Sequence, residues 1–176
     1  MHYQETLVAR PVSSSEIGPG SVVVRRSFAL VALAHPRLRL DGWVRFLRRA
    51  ARPKGRAGVV FLEDLRGYPH AVFRYAVDDR PSLGATEASA TSRTMRLSDV
   101  VAAEVAAASR LPLIADFGER LAAELGCETV LIELPRAAGA ARRDLPDYLD
   151  VSGGIVMRPL PERSNGPKAS AAASKI

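Results

Sequence analysis

Cysteine is almost absent: Cys127 stands alone among 176 residues, which excludes an intramolecular disulfide and a cysteine-based zinc cage. Histidine is nearly as scarce, with three residues and no HxxxH or HxH spacing, so the sequence carries no metal-binding pattern. No uncharged apolar run approaches the roughly 18 residues of a membrane span. Where a signal peptide needs a continuous apolar stretch, the segment from Met1 to Arg10 places His2, Glu5 and Arg10. Together these absences lead to the expectation of a cytoplasmic protein in a reducing compartment. Charge is also modest: 25 Lys and Arg against 19 Asp and Glu leave +6, spread along the chain, which decides little by itself; nucleic acid is an unlikely partner because Trp43 and Phe46 belong to a core face and no stacking aromatics interleave with the arginines. What is present is an ordinary globular balance, 47% hydrophobic and 25% charged, on a length that suits one domain with a real core.

The pattern reads as a strand, two helices, an antiparallel three-strand meander, a helix, a parallel strand, a short helix and a last strand. Glu5 to Val12 is a first strand. Ser13 and Glu16 have capping-box spacing, but the Gly18-Pro19-Gly20 punctuation places the next helix start near Pro19. Ser21 to Ala34 is read as helix from the spacing of Val24, Phe28 and Val31, although Val22-Val23-Val24 also suits a strand. Trp43, Phe46, Leu47 and Ala50 define a second, amphipathic helix, with Asp41 as its cap, and Arg45, Arg48, Arg49 and Arg52 repeat the spacing on another face. The period then becomes two: Gly58 to Leu65 and His70 to Asp78 form a hairpin about a Gly/Pro turn, a polar loop spans Asp79 to Ser92, and Met95 to Val105 is a further strand. In that strand Leu97, Asp99, Val101 and Ala103 are expected on one side. Pro112 is expected to open a helix burying Leu113, Ile114, Phe117, Leu121 and Leu125 and stopping at Gly126. Glu128 to Leu134 follows as a parallel strand completing a βαβ unit. A short helix over Asp144 to Asp150, a last strand from Gly154 to Arg158 and a disordered tail over residues 161–176 complete the reading.

Ala9-Arg10-Pro11-Val12 before a Ser-rich turn, the hairpin from Gly58 to Asp78, the run Leu97 to Leu134 with Glu124-Leu125-Gly126-Cys127, and the terminal Gly153-Gly154-Ile155-Val156-Met157-Arg158-Pro159-Leu160 occur in an order that resembles the GNAT acyltransferase superfamily over residues 5–160. The resemblance implies an α/β fold (α+β in its segregation) with a mixed, mostly antiparallel central sheet flanked by helices. It implies acetyl-CoA or a related acyl-CoA as cosubstrate, an amine acceptor, and an acyl-CoA lying in a V between the strand ending at Val105 and the one beginning near Glu128. Where the family carries a Gln/Arg-rich, Gly-rich phosphate turn, this chain has Ala106-Ala107-Ala108-Ser109-Arg110-Leu111-Pro112, with one Arg and no Gly. By the resemblance, Val105, Ala106, Ala107, Ser109 and Arg110 are the cofactor-binding candidates, Glu104 is the candidate general base, and Tyr148, ahead of Gly153, is the candidate acid for the leaving thiolate. The Gly-poor turn also fits a module of this fold that binds a ligand or a partner protein without turnover.

The remaining chemistry-bearing residues have plainer readings beside the functional ones. Glu63, Asp64 and His70 decorate the hairpin or line an amine cleft, His35 ends a helix, and Cys127 is a small core hydrophobe. The arginine face is a solvated surface, or a contact for the coenzyme's 3′-phosphate, an acidic partner or a nucleic-acid backbone. Acceptor clefts in this fold are built from the first helices and loops, here Pro19 to Arg56 and Asp79 to Ser92. Exposed strands near the C-terminus could also pair in a homodimer.

Overall fold

The computed structural model describes residues 6–51, 55–81, 91–102, 107–134, 145–152 and 154–161. Of the expected disordered tail, all but its first residue lies outside them. A seven-stranded sheet is built from β1 (Leu7–Pro11), β2 (Ala57–Asp64), β3 (Pro69–Pro81), β4 (Thr91–Ala102), β5 (Thr129–Glu133), β6 (Leu149–Ser152) and β7 (Ile155–Pro159), in the order β1-β2-β3-β4-β5-β7-β6. Every neighbouring pair is antiparallel except β4 and β5, which run parallel as a pair joined through a helix must when the crossover returns to the same sheet. The fold class expected from the sequence is the one observed.

Helices cover both faces. Val59, Phe61 and Val72 point into a core shared with α1 (Val22–Ala34) and α2 (Leu40–Ala50), while Val60, Leu62, Phe73, Met95 and Ile132 point into the opposite core, shared with α3 (Ala107–Glu124). β2 is buried along nearly its whole length because both faces are covered, which explains its continuous apolar run in place of an alternating one. The hairpin turn is made by Asp64, whose Oδ1 accepts the N–H groups of Arg66 and Tyr68 at 2.9 Å each, with Gly67 in the left-handed region at φ +73°.

The capping box at Ser13 and Glu16 is real and caps a 3₁₀ turn over Ser14–Glu16; α1 starts later than Pro19, at Val22, with the Ser21 hydroxyl accepting the Val24 N–H. In α2 the cap position belongs to Arg39, and Asp41 sits inside the first turn, where it accepts from Arg45 at 3.1 Å. Buried Ser27 ties the two helices together: its hydroxyl donates to the Val24 carbonyl at 3.0 Å and accepts the indole N–H of Trp43 at 3.1 Å.

α3 begins at Ala107, not at Pro112, which lies within it. The alanine-rich start has high helix propensity, and the single bond lost at Pro112 is offset by the complete burial of Leu111 and Ile114. The buried stripe is accordingly Leu111, Ile114, Ala115 and Ala122, and Leu113 is exposed. At the other end Gly126 (φ +69°) forms a Schellman turn, with Cys127 N–H donating to the Ala122 carbonyl at 2.8 Å and Gly126 N–H to Ala123 at 3.3 Å. The short helix expected after β5 is absent among the described residues: a turn at Leu145 leads to β6, which pairs with β7 across Gly154 at φ +87°.

Candidate functional site

The two parallel strands part company at one place. β4 pairs with β5 from Thr94↔Thr129 to Leu97↔Ile132, and beyond Leu97 the described part of β4 has no partner on β5. On its other edge β4 stays bonded to β3 as far as Ala71↔Ala102. Residues 98–102 therefore present one edge of backbone hydrogen-bonding groups to the opening between the strands.

The divergence coincides with a bulge. Arg74 pairs with Ser98 but Val72 with Val101, so β4 carries one extra residue, and Asp99 adopts φ +53°. This overturns the expected alternation. Leu97 lies in the α3-side core and Val101 in the α1/α2-side core, because the extra residue reverses which face each later residue meets. α3 is fastened to the far wall of the opening through Leu111, whose side chain packs against Leu134 just past β5.

On the α1/α2 face of the sheet, beside the bulge, lies a cavity of about 510 Å³. Its apolar wall includes Val31, Val72, Val101 and the stacked rings of Trp43 and Phe46, 5.2 Å apart, and Asp99 reaches it from the bulge. Its volume is that of a small-molecule site. A smaller cavity of about 200 Å³ lies against α3, between Pro112, Glu119, Tyr148 and Arg158.

Of the residues singled out in the sequence, Glu104, Val105 and Ala106 lie outside the described residues. Ala107, Ser109 and Arg110 belong to the first turn of α3 and not to a preceding loop, and Arg110 is half-buried. Tyr148 is buried and its hydroxyl donates to Glu119 Oε1 at 2.9 Å, an oxygen that also accepts from Arg158 at 2.9 Å. Burial and then the Glu119 carboxylate push the Tyr148 hydroxyl far above its ordinary pKa. Glu119 follows Arg110 by nine residues, about 13 Å along the helix axis, so the Tyr148 hydroxyl is held more than two turns away from the first turn of α3.

Glu63, Asp64 and His70 are occupied structurally. Glu63 accepts from Arg10 at 3.2 Å, Asp64 builds the hairpin turn, and His70 lies 3.7 Å from Asp64. Cys127 is buried, and burial raises its thiol pKa. The residue missed by sequence reasoning is Asp99, taken there as one more alternating position. A signal existed, since Asp is among the few non-glycine residues that adopt positive φ readily.

No protein-family model matches the sequence, and no curated protein matches it. Solved structures do match. Glucosamine-6-phosphate N-acetyltransferase from Arabidopsis thaliana superposes with a TM-score of 0.59 at 12% identity, covering 85% of this chain and 96% of its own. A GNAT family acetyltransferase from Staphylococcus aureus gives 0.59 at 11% identity, again over 85% and 96%. This chain has the GNAT fold. A protein described as a transcriptional regulator from Bacillus halodurans shares that GNAT fold too, at a TM-score of 0.61 and 12% identity over 85% of this chain and 97% of its own. At identities this low the superpositions establish a shared architecture alone, and function has to be argued from the site. No helix among the described residues is long and apolar enough to cross a membrane.

Proposed function

We propose that this chain is an N-acyltransferase that moves an acetyl or other acyl group from acyl-CoA to an amine. The observation that carries the reading is the opening of the sheet beyond Leu97↔Ile132, where the free edge of β4 meets the cavity beside the Asp99 bulge. A thioester arm is an amide-bearing, strand-like chain, and an unpaired strand edge supplies the N–H and C=O groups that match it. A backbone N–H on that edge would polarise the thioester carbonyl, which gains negative charge as the amine adds.

The amine nitrogen forms the new bond to the carbonyl carbon, loses a proton to a base, and the carbon–sulfur bond breaks to release a thiolate that takes up a proton. The base in this proposal is Glu104, two residues past the end of β4 in sequence. Support for Tyr148 as the acid is weaker, since its proton is held by Glu119 and its raised pKa opposes donation; its contacts favour a positioning role between α3 and the turn before β6. The coenzyme's phosphates would meet the first turn of α3, whose N–H groups have no intrahelical acceptors, with Arg110 in the same turn.

Calorimetric and thermal-shift titration with acetyl-CoA, free CoA and longer acyl thioesters tests this. A ligand at about 100 times its Kd adds about 2.7 kcal/mol to stability, and release of free thiol with amines then reports turnover. The absence of glycine between Ala106 and Pro112 favours a second reading, a module of the same fold that binds without turnover. Thioester binding with no thiol release from any amine supports that one, and no stabilisation at millimolar thioester removes acyl-CoA from both.

A further inference from the structure

The cavity beside the bulge has an apolar wall and a strongly one-signed rim. Arg37 from the segment after α1, Arg45 and Arg49 from α2, and Arg74 from β3 all line it, with His35 at the end of α1; Asp99 is the one carboxylate among its described lining residues. Two elements and a connecting segment thus converge their guanidinium groups on one concave surface.

These cations are incompletely used. Arg37 and Arg49 make no ion pair among the described residues, and Arg45 pairs only with Asp41, at the exposed foot of its own helix. Arg74 reaches Asp99 at a loose 3.9 Å, and its Nε is buried with no hydrogen-bond acceptor. A buried guanidinium N–H without an acceptor is costly, and a planar fork of donors matches a carboxylate or phosphate. Solvated arginines on a convex helix face need no explanation, but here they border a cavity whose wall is aromatic and aliphatic.

We infer that the cavity is the acceptor subsite and selects an anionic amine: a molecule whose amino group reaches the bulge, whose apolar body lies along Trp43 and Phe46, and whose carboxylate or phosphate is held by the arginine rim. This rests on the acyl-transfer reading for the word acceptor, while the charge preference rests on the cavity itself. Asp99, on the bulge and the one carboxylate among the cavity's described lining residues, faces the ammonium end. The inference gives the arginine face of α2 a task for Arg45 and Arg49 and leaves Arg48 to solvent.

Trp43 is the chain's single tryptophan and lines the cavity, so its fluorescence reports occupancy without turnover. The test titrates the full chain with ω-amino fatty acids and with their amides of the same length. The acids are expected to bind at least tenfold more tightly, and the difference is expected to shrink as salt rises. Arg49→Gln and Arg37→Gln, both at exposed positions, are expected to abolish most of the preference while leaving thermal stability and acetyl-CoA affinity unchanged. Equal affinity for acid and amide overturns the charge assignment. Loss of acetyl-CoA binding in the arginine variants overturns it too, by assigning the rim to the coenzyme's phosphates. Acid-selective binding in a chain that binds no acyl-CoA overturns the acceptor role and the acyl-transfer reading together, while the charge preference stands.

Discussion

An ideal Cβ built on Gly118 of α3 falls 2.5 Å from Cδ1 of Leu97, the last residue of β4 paired with β5. The helix lies this close to the sheet at the point where the strands separate, so its position and the width of the opening are set together. Leu97 is fully buried, so any shift of its side chain has to be taken up by packed neighbours. Alanine at Gly118 gains up to about 1 kcal/mol of helix propensity but overpacks the contact at a cost of about 1–3 kcal/mol. Gly118→Ala is therefore expected to destabilise the fold by about 1 kcal/mol, a fall in Tm of roughly 2–4 °C for a chain of this size. In a Leu97→Val background the same substitution should cost less, which denaturant midpoints of the four chains in the cycle will show.

Ser27 offers a second check on what holds the cavity wall. Ser27→Ala removes the only acceptor found for the Trp43 indole N–H among the described residues, leaving a buried donor unsatisfied. The expected loss is about 1–3 kcal/mol, accompanied by a change in Trp43 emission. Unchanged stability would mean that α1 and α2 do not depend on this bond.

Acid sensitivity follows from Glu16. The Ser13 backbone N–H, and after it the Arg10 guanidinium, hold its carboxyl below the usual 4.5 although partial burial opposes them. A depressed folded-state pKa contributes stability that is present above 4.5 and is lost as the pH falls further, through the folded value. Chemical denaturation between pH 6 and pH 3, read at roughly unit steps, should show this slope, and Glu16→Gln should flatten it. Asp64, held down chiefly by the Tyr68 N–H, adds a slope of the same sign that the Glu16 variant retains.

Catalytic variants separate proton transfer from positioning. Glu104→Gln is expected to lower kcat by roughly two to four orders of magnitude with acetyl-CoA affinity unchanged. Tyr148→Phe, by contrast, is expected to cost stability through the lost bond to Glu119, by about 1 kcal/mol, and to change kcat by less than about tenfold. A collapse of kcat in Tyr148→Phe with stability intact would return it to the chemistry.

Much of the architecture was legible because single residues speak for their elements. Trp43, Phe46, Leu47 and Ala50 announce α2 through their spacing, Gly67 and Gly126 sit where positive φ is needed, and the β-branched run of β5 follows the helix stop at once. The errors have local causes. Period-two reasoning carried across Asp99 assigns Val101 to the wrong face, since a bulge leaves no trace in hydrophobic alternation. Proline is more often found at a helix start than inside one, so the sequence pattern places the first turn of α3 before the helix. The edge strand β6, Leu149-Asp150-Val151-Ser152, is only four residues long, too short for its apolar/polar alternation to stand out against a helix reading. The α1/α2 side of the cavity falls within the Pro19 to Arg56 stretch expected to build a cleft, but its closure by Arg74 and Asp99 was not legible, because these converge with Arg37 and Arg49 only through the packing of α1 and α2 on the sheet.

The most direct test of the central claim is amide hydrogen exchange along β4 with and without acetyl-CoA. If the thioester lies along the free strand edge, amides among residues 98–102 that face the opening should exchange at least tenfold more slowly in the saturated chain. Protection confined to other elements, or no protection with acetyl-CoA demonstrably bound, would place the coenzyme elsewhere and contradict the account.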